Sequence, residues 1–266
     1  MIHRIIQNKT ANVHYLFHKN ESSDELVVFL HGAYADHTSF DRQKEAFAAR
    51  YNLLFIDLLG HGLSNVFTVK DRIDATPEQL KRIMDLEKYK KAHLIGVSLG
   101  ALLAQYFALK YPGYVSSVIA TGGYDINRKN EEINKAQKES IKKCLWLALT
   151  SMDKFRRFVA DQAVHTPENK ELYYQMTRHF IRKSFVGMAG LNKVIRKRKN
   201  ISSTYSLLIL CGELDADLAK KAARQWNQDA PGSKFQLIPA AGHTANMDNP
   251  AAFNQIALDF LASVQT

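Results

Sequence analysis

Six short runs of apolar residues recur along the chain, separated by longer polar or mixed stretches. Each run has seven or eight residues and is rich in β-branched and large aliphatic side chains. Runs of this kind predict buried β-strands. The predicted strands cover residues 25–31, 52–58, 92–98, 115–122, 205–212 and 234–240. A seventh stretch, residues 12–18, alternates more weakly and predicts an edge strand.

Helical spacing of apolar positions fills the gaps between these runs. It predicts helices over residues 76–89, 99–111, 215–228 and 249–264. Thr76 is placed to cap the first of them, with Pro77 at the first helical position. Strands that alternate with helices favour an α/β fold with a mostly parallel central sheet that helices cover on both faces.

One segment breaks this alternation. Between the fourth and fifth apolar runs, helical spacing continues without a strand pattern over residues 133–149, 152–164 and 171–190. We therefore predict a core made of residues 1–123 and 201–266. Residues 124–200 are predicted to form an all-helical insertion, called the cap segment below.

The net charge of +10 is concentrated in the cap segment. Residues 124–200 contain 18 Lys and Arg against 8 Asp and Glu, whereas the rest of the chain has 18 of each sign. Such a basic segment is typical of solvated helix faces, and it also suits an anionic substrate or an acidic surface. Since no recognised nucleic-acid-reading element accompanies the charge, we do not expect nucleic acid as a partner. The basic runs are Arg156-Arg157, Arg182-Lys183 and residues 196–199.

Composition excludes several classes of protein. With 46% hydrophobic and 23% charged residues, the 266-residue chain is an ordinary globular protein. Its two cysteines, Cys144 and Cys211, make neither a disulfide framework nor a zinc-like cluster. The first residues have no apolar stretch of signal-peptide length, and no run is long enough to span a bilayer. We expect a soluble, cytoplasmic protein that needs no metal or organic cofactor and whose oligomeric state stays open.

The pentapeptide Gly96-Val97-Ser98-Leu99-Gly100 lies where a predicted strand meets a predicted helix. A G-x-S-x-G sequence at such a junction places the serine on a sharp turn, with its Oγ above the sheet. Glycines on both sides let neighbouring backbone pack closely, and the helix N-terminus supplies N–H groups for an oxyanion. This context predicts that Ser98 is a nucleophile.

A serine nucleophile needs a base, and the base needs an acid that orients it. His243 follows the last predicted strand, at the end of the sheet where α/β proteins place ligands. The loop after residues 205–212 offers three carboxylates, of which we favour Asp215. Asp217 is placed to cap a helix, and Glu213 is placed to face solvent. Asp125 also follows a predicted strand and stays open as the alternative acid.

The order Ser98, Asp215, His243 resembles the order of nucleophile, acid and base in the α/β-hydrolase family. His31-Gly32 resembles the family's oxyanion loop, and residues 57–64 (DLLGHGLS) resemble its D-x-x-G-H-G-x-S turn. With the segments GELD and GH around the acid and base, five ordered motifs cover nearly the whole chain. The resemblance implies an α/β-hydrolase fold with a helical cap.

The resemblance also implies roles for individual residues. Ser98 attacks a carbonyl carbon, His243 takes and returns the proton, and Asp215 orients His243. The backbone N–H groups of Ala33 and Leu99 hold the oxyanion. Candidates to line a pocket for a small-molecule substrate are three residues after the oxyanion loop and one cap aromatic: Tyr34, His37, Phe40 and Trp146.

The leading hypothesis is therefore a serine hydrolase of a small ester, thioester, lactone or amide that acts through an acyl-enzyme. Carbon–carbon bond hydrolases and cofactor-free lyases resemble the same pattern and stay open as alternatives. So do a ligand-binding or regulatory relative without turnover and a basic interaction module located in the cap. Haloalkane dehalogenases and epoxide hydrolases are disfavoured, because those relatives carry Asp where this chain has Ser98.

Overall fold

The computed structural model describes residues 1–7, 11–66, 72–128, 130–196 and 205–264, and a single β-sheet forms the centre of this part of the chain. The bounds of its strands are β1 Ile2–Gln7, β2 Ala11–His18, β3 Leu26–Leu30, β4 Asn52–Ile56, β5 Asn65–Val66, β6 Ala92–Val97, β7 Val115–Thr121, β8 Ser206–Gly212 and β9 Lys234–Ile238. The strands run across the sheet in the order β1-β2-β4-β3-β6-β7-β8-β9, and β5 pairs with β2. The pairs from β4 through β3 to β9 are parallel, whereas β1, β2 and β5 pair antiparallel.

Helices flank the sheet and fill the cap segment. Within the described residues their bounds are α1 Lys44–Ala48, α2 Thr76–Leu86, α3 Leu99–Lys110, α4 Glu131–Thr150, α5 Met152–Ala163, α6 Pro167–Met176, α7 Leu191–Val194, α8 Asp217–Asp229, α9 Ala245–Asp248 and α10 Pro250–Ala262. In this part of the chain, none of the helices combines the length and apolar character needed to cross a bilayer.

Two apolar clusters pack on opposite faces of the sheet. Successive side chains of a strand point to opposite faces, and in β3 Val28 belongs to one cluster while Phe29 belongs to the other. Phe107 of α3 and Trp226 of α8 cover the first face. Phe253 of α10 covers the second. The α/β class and the mostly parallel sheet predicted from the alternation of strands and helices are therefore confirmed.

Two local predictions are wrong. Residues 12–18 do not form an edge strand, because β2 pairs with β4 on one side and with β1 on the other. The edge strand β1 escaped prediction because it exposes Ile2 and Ile5, which breaks the expected pattern of burial. Thr76 does not cap α2: it is the first residue of the helix, and its hydroxyl donates to the carbonyl of Ile73.

The cap segment lies between β7 and β8, and its described residues form helices joined by turns, with no strand among them. Helices α4 to α6 and short 3-10 turns pack around a third apolar cluster that includes Phe155, Tyr173 and Phe180, whereas Val194 of α7 belongs to the first cluster. The division of the chain at 123/124 and 200/201 stays a prediction. Its second boundary, and residues 197–199 of the last basic run, lie outside the described residues.

Candidate active site

Ser98 lies on the turn between β6 and α3, in a backbone conformation that residues other than glycine rarely adopt. Its φ is 53° and its ψ is −114°. The turn is possible because its two glycines have no side chain: a Cβ on Gly96 would lie 2.4 Å from the carbonyl oxygen of Gly100, and one on Gly100 would lie 1.9 Å from that of Leu30. A strained residue persists only where its surroundings hold it. The G-x-S-x-G sequence thus forms the sharp strand-to-helix turn that it predicts.

His243 lies beside Ser98. It follows β9 in the chain, and its Nε2 is 2.8 Å from the Ser98 Oγ. Both residues are partly exposed, so a substrate can reach them. The ring packs on Gly122, which sequence reasoning missed as a site residue. Gly122 has a φ of 61°, and a Cβ there would lie 3.0 Å from the His243 Cε1. The Gly122-Gly123 pair at the end of the predicted strand over residues 115–122 was the available signal.

The carboxylate that reaches His243 is that of Asp215. Its Oδ2 is 2.9 Å from the His243 Nδ1, and its side chain is 6% exposed. Asp125, the alternative acid, instead accepts a hydrogen bond from the backbone N–H of Asn127 within its own turn. The structure therefore brings Ser98, His243 and Asp215 together and does not add Asp125 to them.

Electrostatics suit a proton transfer between these groups. Burial opposes ionisation of Asp215, but the charge and hydrogen bond of His243 outweigh it and hold the pKa of Asp215 below its ordinary value. Burial likewise acts to lower the pKa of His243, and the charge and hydrogen bond of Asp215 reverse this effect, so the pKa of His243 is raised above 6.5. The histidine is therefore a stronger base than it is in water.

The loop after β3 passes directly beside Ser98. A Cβ on Gly32 would lie 3.5 Å from the Cβ of Ser98, so the backbone at Gly32 and Ala33 borders the serine. Leu99 is the first residue of α3, and the first N–H groups of a helix have no partner within it. The loop that carries Ala33 and the first turn of α3, which carries Leu99, thus both adjoin Ser98, and the role of these two residues as oxyanion donors stays a prediction.

Residues 57–64 hold this loop rather than the substrate. The backbone N–H of Leu58 donates to the His31 Nε2 (3.0 Å), and the His31 Nδ1 lies 2.7 Å from the carbonyl oxygen of Gly32. The Asp57 carboxylate accepts hydrogen bonds from the backbone N–H of His37 (2.8 Å) and from its ring Nδ1 (2.9 Å). The His37 ring is thus bonded to Asp57, and its place in a substrate pocket stays a prediction.

Among the described residues, His14, His37 and Asp57 have possible metal-ligand atoms within 4.8 Å of one another. The Asp57 Oδ2 accepts from the His14 Nδ1 (2.8 Å) and from the backbone N–H of Leu63 (2.9 Å). Both carboxylate oxygens thus already carry two hydrogen bonds each. This donor set fits a hydrogen-bond network between the strands better than it fits a cation site.

The remaining pocket candidates occupy different places. Tyr34 lies under the cap, with its ring 5.1 Å from that of Phe155 and 5.0 Å from that of Phe180. Phe40 is fully buried, with its ring 5.0 Å from that of Phe29 in the core, and its place in a pocket stays a prediction. Trp146 does not join the cap's apolar cluster and is 63% exposed on α4.

The cap segment is bonded to the loop that carries His243, a relationship that sequence reasoning missed. The backbone N–H of Thr244 donates to the carbonyl of Ala163 (2.7 Å). Asp248 accepts from the backbone N–H of Gly242 (2.9 Å) and from the Asn169 side chain (2.9 Å). No local pattern could have shown the two bonds that reach the cap, since Thr244 and Ala163, and likewise Asp248 and Asn169, are about 80 positions apart.

Comparison with known proteins agrees with this geometry. The chain is 26% identical over 261 residues to a 2-hydroxy-6-oxononadienedioate/2-hydroxy-6-oxononatrienedioate hydrolase of a Pseudomonas species. This alignment covers 92% of this chain and 91% of that protein. The chain is also 27% identical over 235 residues to a 2-succinyl-6-hydroxy-2,4-cyclohexadiene-1-carboxylate synthase of Shigella flexneri serotype 5b (strain 8401). That alignment covers 85% of this chain and 89% of the synthase.

Among solved structures, a thermophilic esterase from Thermogutta terrifontis matches with a TM-score of 0.80 at 19% identity, over the full length of both chains. The model of one family, described as the alpha/beta hydrolase fold, matches residues 25–250, which is most of the sequence. The motifs, the sheet order and this match together show that the chain belongs to the alpha/beta hydrolase fold family.

Proposed function

We propose that this protein is a serine hydrolase that cleaves a small ester, thioester, lactone or amide through an acyl-enzyme. The observation that carries the proposal is the unbroken series of contacts from Ser98 to His243 (2.8 Å) and from His243 to Asp215 (2.9 Å). A nucleophile, a base and an orienting acid in hydrogen-bond reach of one another are the signature of nucleophilic catalysis.

In the first half of the reaction, the Ser98 Oγ attacks the substrate carbonyl carbon while His243 Nε2 takes its proton. The resulting oxyanion accepts hydrogen bonds from the backbone N–H groups of Ala33 and Leu99. Collapse of this intermediate breaks the bond to the leaving group, which receives the proton from His243. Water then attacks the acyl-enzyme by the same steps, with His243 as base, and releases the acid. Each oxyanion donor of this kind is worth about 3–4 kcal/mol.

Residues 124–200 act in this proposal as a cap that limits and shapes the substrate pocket. Next to the oxyanion loop, the cap presents Phe155, Phe180 and Phe185 around Tyr34. Such a wall favours apolar or aromatic acyl groups of limited size. The Arg156 Nε donates a hydrogen bond to the carbonyl oxygen of Thr177, and the Arg182 Nε donates one to the carbonyl oxygen of Ala148. These two basic residues therefore bind backbone within the cap.

A second candidate is a carbon–carbon bond hydrolase or a cofactor-free lyase built on the same three residues. The observation that favours it is the naming of the relatives, one as a hydrolase of an oxo-dienedioate and one as a cyclohexadiene-carboxylate synthase. In this reading His243 and Ser98 move a proton on the substrate, and the same oxyanion donors stabilise an enolate.

The decisive experiment is labelling of the purified protein with a fluorophosphonate, with Ser98→Ala as the matched control. We expect the wild type to be labelled at one site per chain and the variant to stay unlabelled. Activity on a panel of short-chain esters, lactones and thioesters would then define the substrate. Absence of both labelling and ester turnover in folded protein overturns the serine-hydrolase proposal.

A panel of vinylogous 1,5-diketones separates the two candidates. Cleavage of a diketone into an acid and a ketone, with no ester turnover, would favour the carbon–carbon candidate. Tight binding of a panel compound without turnover, unchanged in Ser98→Ala, would instead favour a ligand-binding relative.

A further inference from the structure

The cap segment contacts the loop that carries Ala33 at three positions, Ala33, Tyr34 and Asp36. The Tyr173 hydroxyl donates to the carbonyl oxygen of Ala33 (3.1 Å), across 140 positions of the chain. The ring of Tyr34 packs against the cap rings described above. The Asp36 Oδ2 is 2.8 Å from the Nδ1 of His179.

The backbone at this point is strained. Tyr34 has a φ of 68°, in the left-handed region that bulky residues rarely adopt. Such a conformation costs about 1–3 kcal/mol and persists only where neighbouring groups enforce it. The Tyr173 hydroxyl bonds the peptide group that joins Ala33 to Tyr34, and the cap rings hold the Tyr34 side chain. The cap therefore supplies the contacts that keep the loop in this shape.

Tyr173 is well suited to this role. It is 3% exposed, and burial raises the pKa of its hydroxyl far above the ordinary value, so it stays a hydrogen-bond donor throughout the working pH range. Its oxygen also lies 3.9 Å from the position that a Cβ on Gly32 would occupy. The hydroxyl thus contacts the loop at Ala33, one residue after Gly32, whose backbone borders Ser98.

We infer that Tyr173 is a positioning residue for the oxyanion hole: by bonding the Ala33 carbonyl, it fixes the peptide group between Ala33 and Tyr34 and, through the Ala33 Cα, restricts the preceding peptide group, whose N–H faces the oxyanion. Opening of the cap would break this bond, which couples assembly of the oxyanion hole to the position of the cap. This inference rests on the proposed function, because it assumes that an oxyanion forms at Ser98.

The chain offers a matched control in the next residue. Tyr174 also lies on α6, but its hydroxyl donates to Asp153 (2.6 Å), on the exposed side of the helix. Tyr173→Phe and Tyr174→Phe each remove one hydroxyl and retain the ring. Of these two hydroxyls, that of Tyr173 donates to the oxyanion loop, whereas that of Tyr174 donates to Asp153.

The test is the rate and the stoichiometry of Ser98 labelling by a fluorophosphonate, whose tetrahedral adduct places an oxygen in the oxyanion hole. Misplacing one donor by about an ångström costs up to about a hundredfold in rate. We therefore expect Tyr173→Phe to label about tenfold or more slowly, still reaching one label per chain. Tyr174→Phe should label like the wild type.

A labelling rate for Tyr173→Phe within threefold of that for Tyr174→Phe overturns the inference while leaving the proposed function intact. Failure of the folded wild type both to label and to turn over an ester overturns the proposed function itself. Since a merely destabilised protein would lose labelled fraction rather than rate, the stoichiometry separates positioning from folding. On a hydrolysed ester, the same loss should appear in kcat, with KM changed less than twofold.

Discussion

The Ser98 Oγ and the His243 Nε2 lie 2.8 Å apart although 145 positions separate them in the chain. An ionised Asp215 can only accept a hydrogen bond, so the proton between Asp215 and His243 belongs to the His243 Nδ1. In the neutral ring the Nε2 then carries no proton and accepts from the Ser98 hydroxyl. The contact to Asp215 thus determines the direction of the second contact, as a base beside a nucleophile requires.

Ser98→Ala removes the nucleophile and leaves every other contact of the site in place. We expect kcat for any ester substrate to fall by about 10⁴-fold or more, because loss of a triad serine removes nearly all covalent catalysis. Thermal unfolding should be within about 2 °C of the wild type, since the change removes one partly exposed hydroxyl. Residual turnover above one per cent of the wild type would contradict the assignment.

Local patterns were sufficient to predict much of this fold and part of its site. The runs over residues 25–31 and 92–98 and the glycines around Ser98 depend on neighbours in sequence, so they could be predicted without long-range contacts. Asp125 and Asp215 both follow a strand, and only packing between distant loops distinguishes them. The same limit applies to Phe40, which a 3-10 turn places in the core, and to Tyr173, whose partner is 140 positions away.

Asp215→Asn should change the pH dependence of the reaction as well as its rate. The charge and hydrogen bond of Asp215 raise the pKa of His243 above 6.5, so the wild type loses activity as the pH falls through that raised value. Without the carboxylate this acid limb should move to lower pH, while kcat falls by about 10⁴-fold because the ring tautomer is no longer enforced. Profiles of kcat/KM from pH 5 to pH 9 measure both effects.

Asp125→Asn is the matched control for that experiment. Its carboxylate bonds Asn127 within its own turn and has no described contact with His243. We expect its acid limb to coincide with that of the wild type and its kcat to stay within threefold. The opposite pattern, with loss of activity in Asp125→Asn alone, would make Asp125 the acid.

Gly122→Ala tests whether the glycine behind His243 positions the ring. A Cβ there would lie 3.0 Å from the His243 Cε1 and 3.0 Å from its carbonyl oxygen, at a φ of 61°. We expect activity to fall at least about tenfold as the ring is displaced, and the free energy of unfolding to fall by about 1–3 kcal/mol.

Gly232→Ala separates backbone strain from displacement of His243. Gly232 has a φ of 82°, and nothing lies within 4 Å of the position that its Cβ would take. This variant should lose about 1 kcal/mol of stability and retain full activity. Equal losses of activity in both variants would show that strain alone, rather than contact with His243, explains the effect of Gly122→Ala.

The bond between His37 and Asp57 should make stability depend on pH in a defined window. Burial acts to lower the pKa of His37, but its hydrogen bond to Asp57 outweighs this and raises it above 6.5. Burial acts to raise the pKa of Asp57, and the hydrogen bonds from His14 and His37 reverse this, holding it below 3.8. The His37 contribution is fully present below pH 6.5 and is lost as the pH rises through its raised pKa. The Asp57 contribution is present above pH 3.8 and is lost only in stronger acid.

Both contributions are therefore complete between about pH 4 and pH 6.5. His37→Gln should lower the free energy of unfolding by about 1–3 kcal/mol at pH 5.5, because it breaks a buried bond to a charged group. The difference from the wild type should shrink toward pH 9, as the pH rises through the raised pKa of His37. Guanidinium unfolding of both proteins at pH 5.5, 7 and 9 measures it, with the exposed His165→Gln as the control. A difference that stays constant or grows toward pH 9 would mean that His37 does not carry a charge beside Asp57.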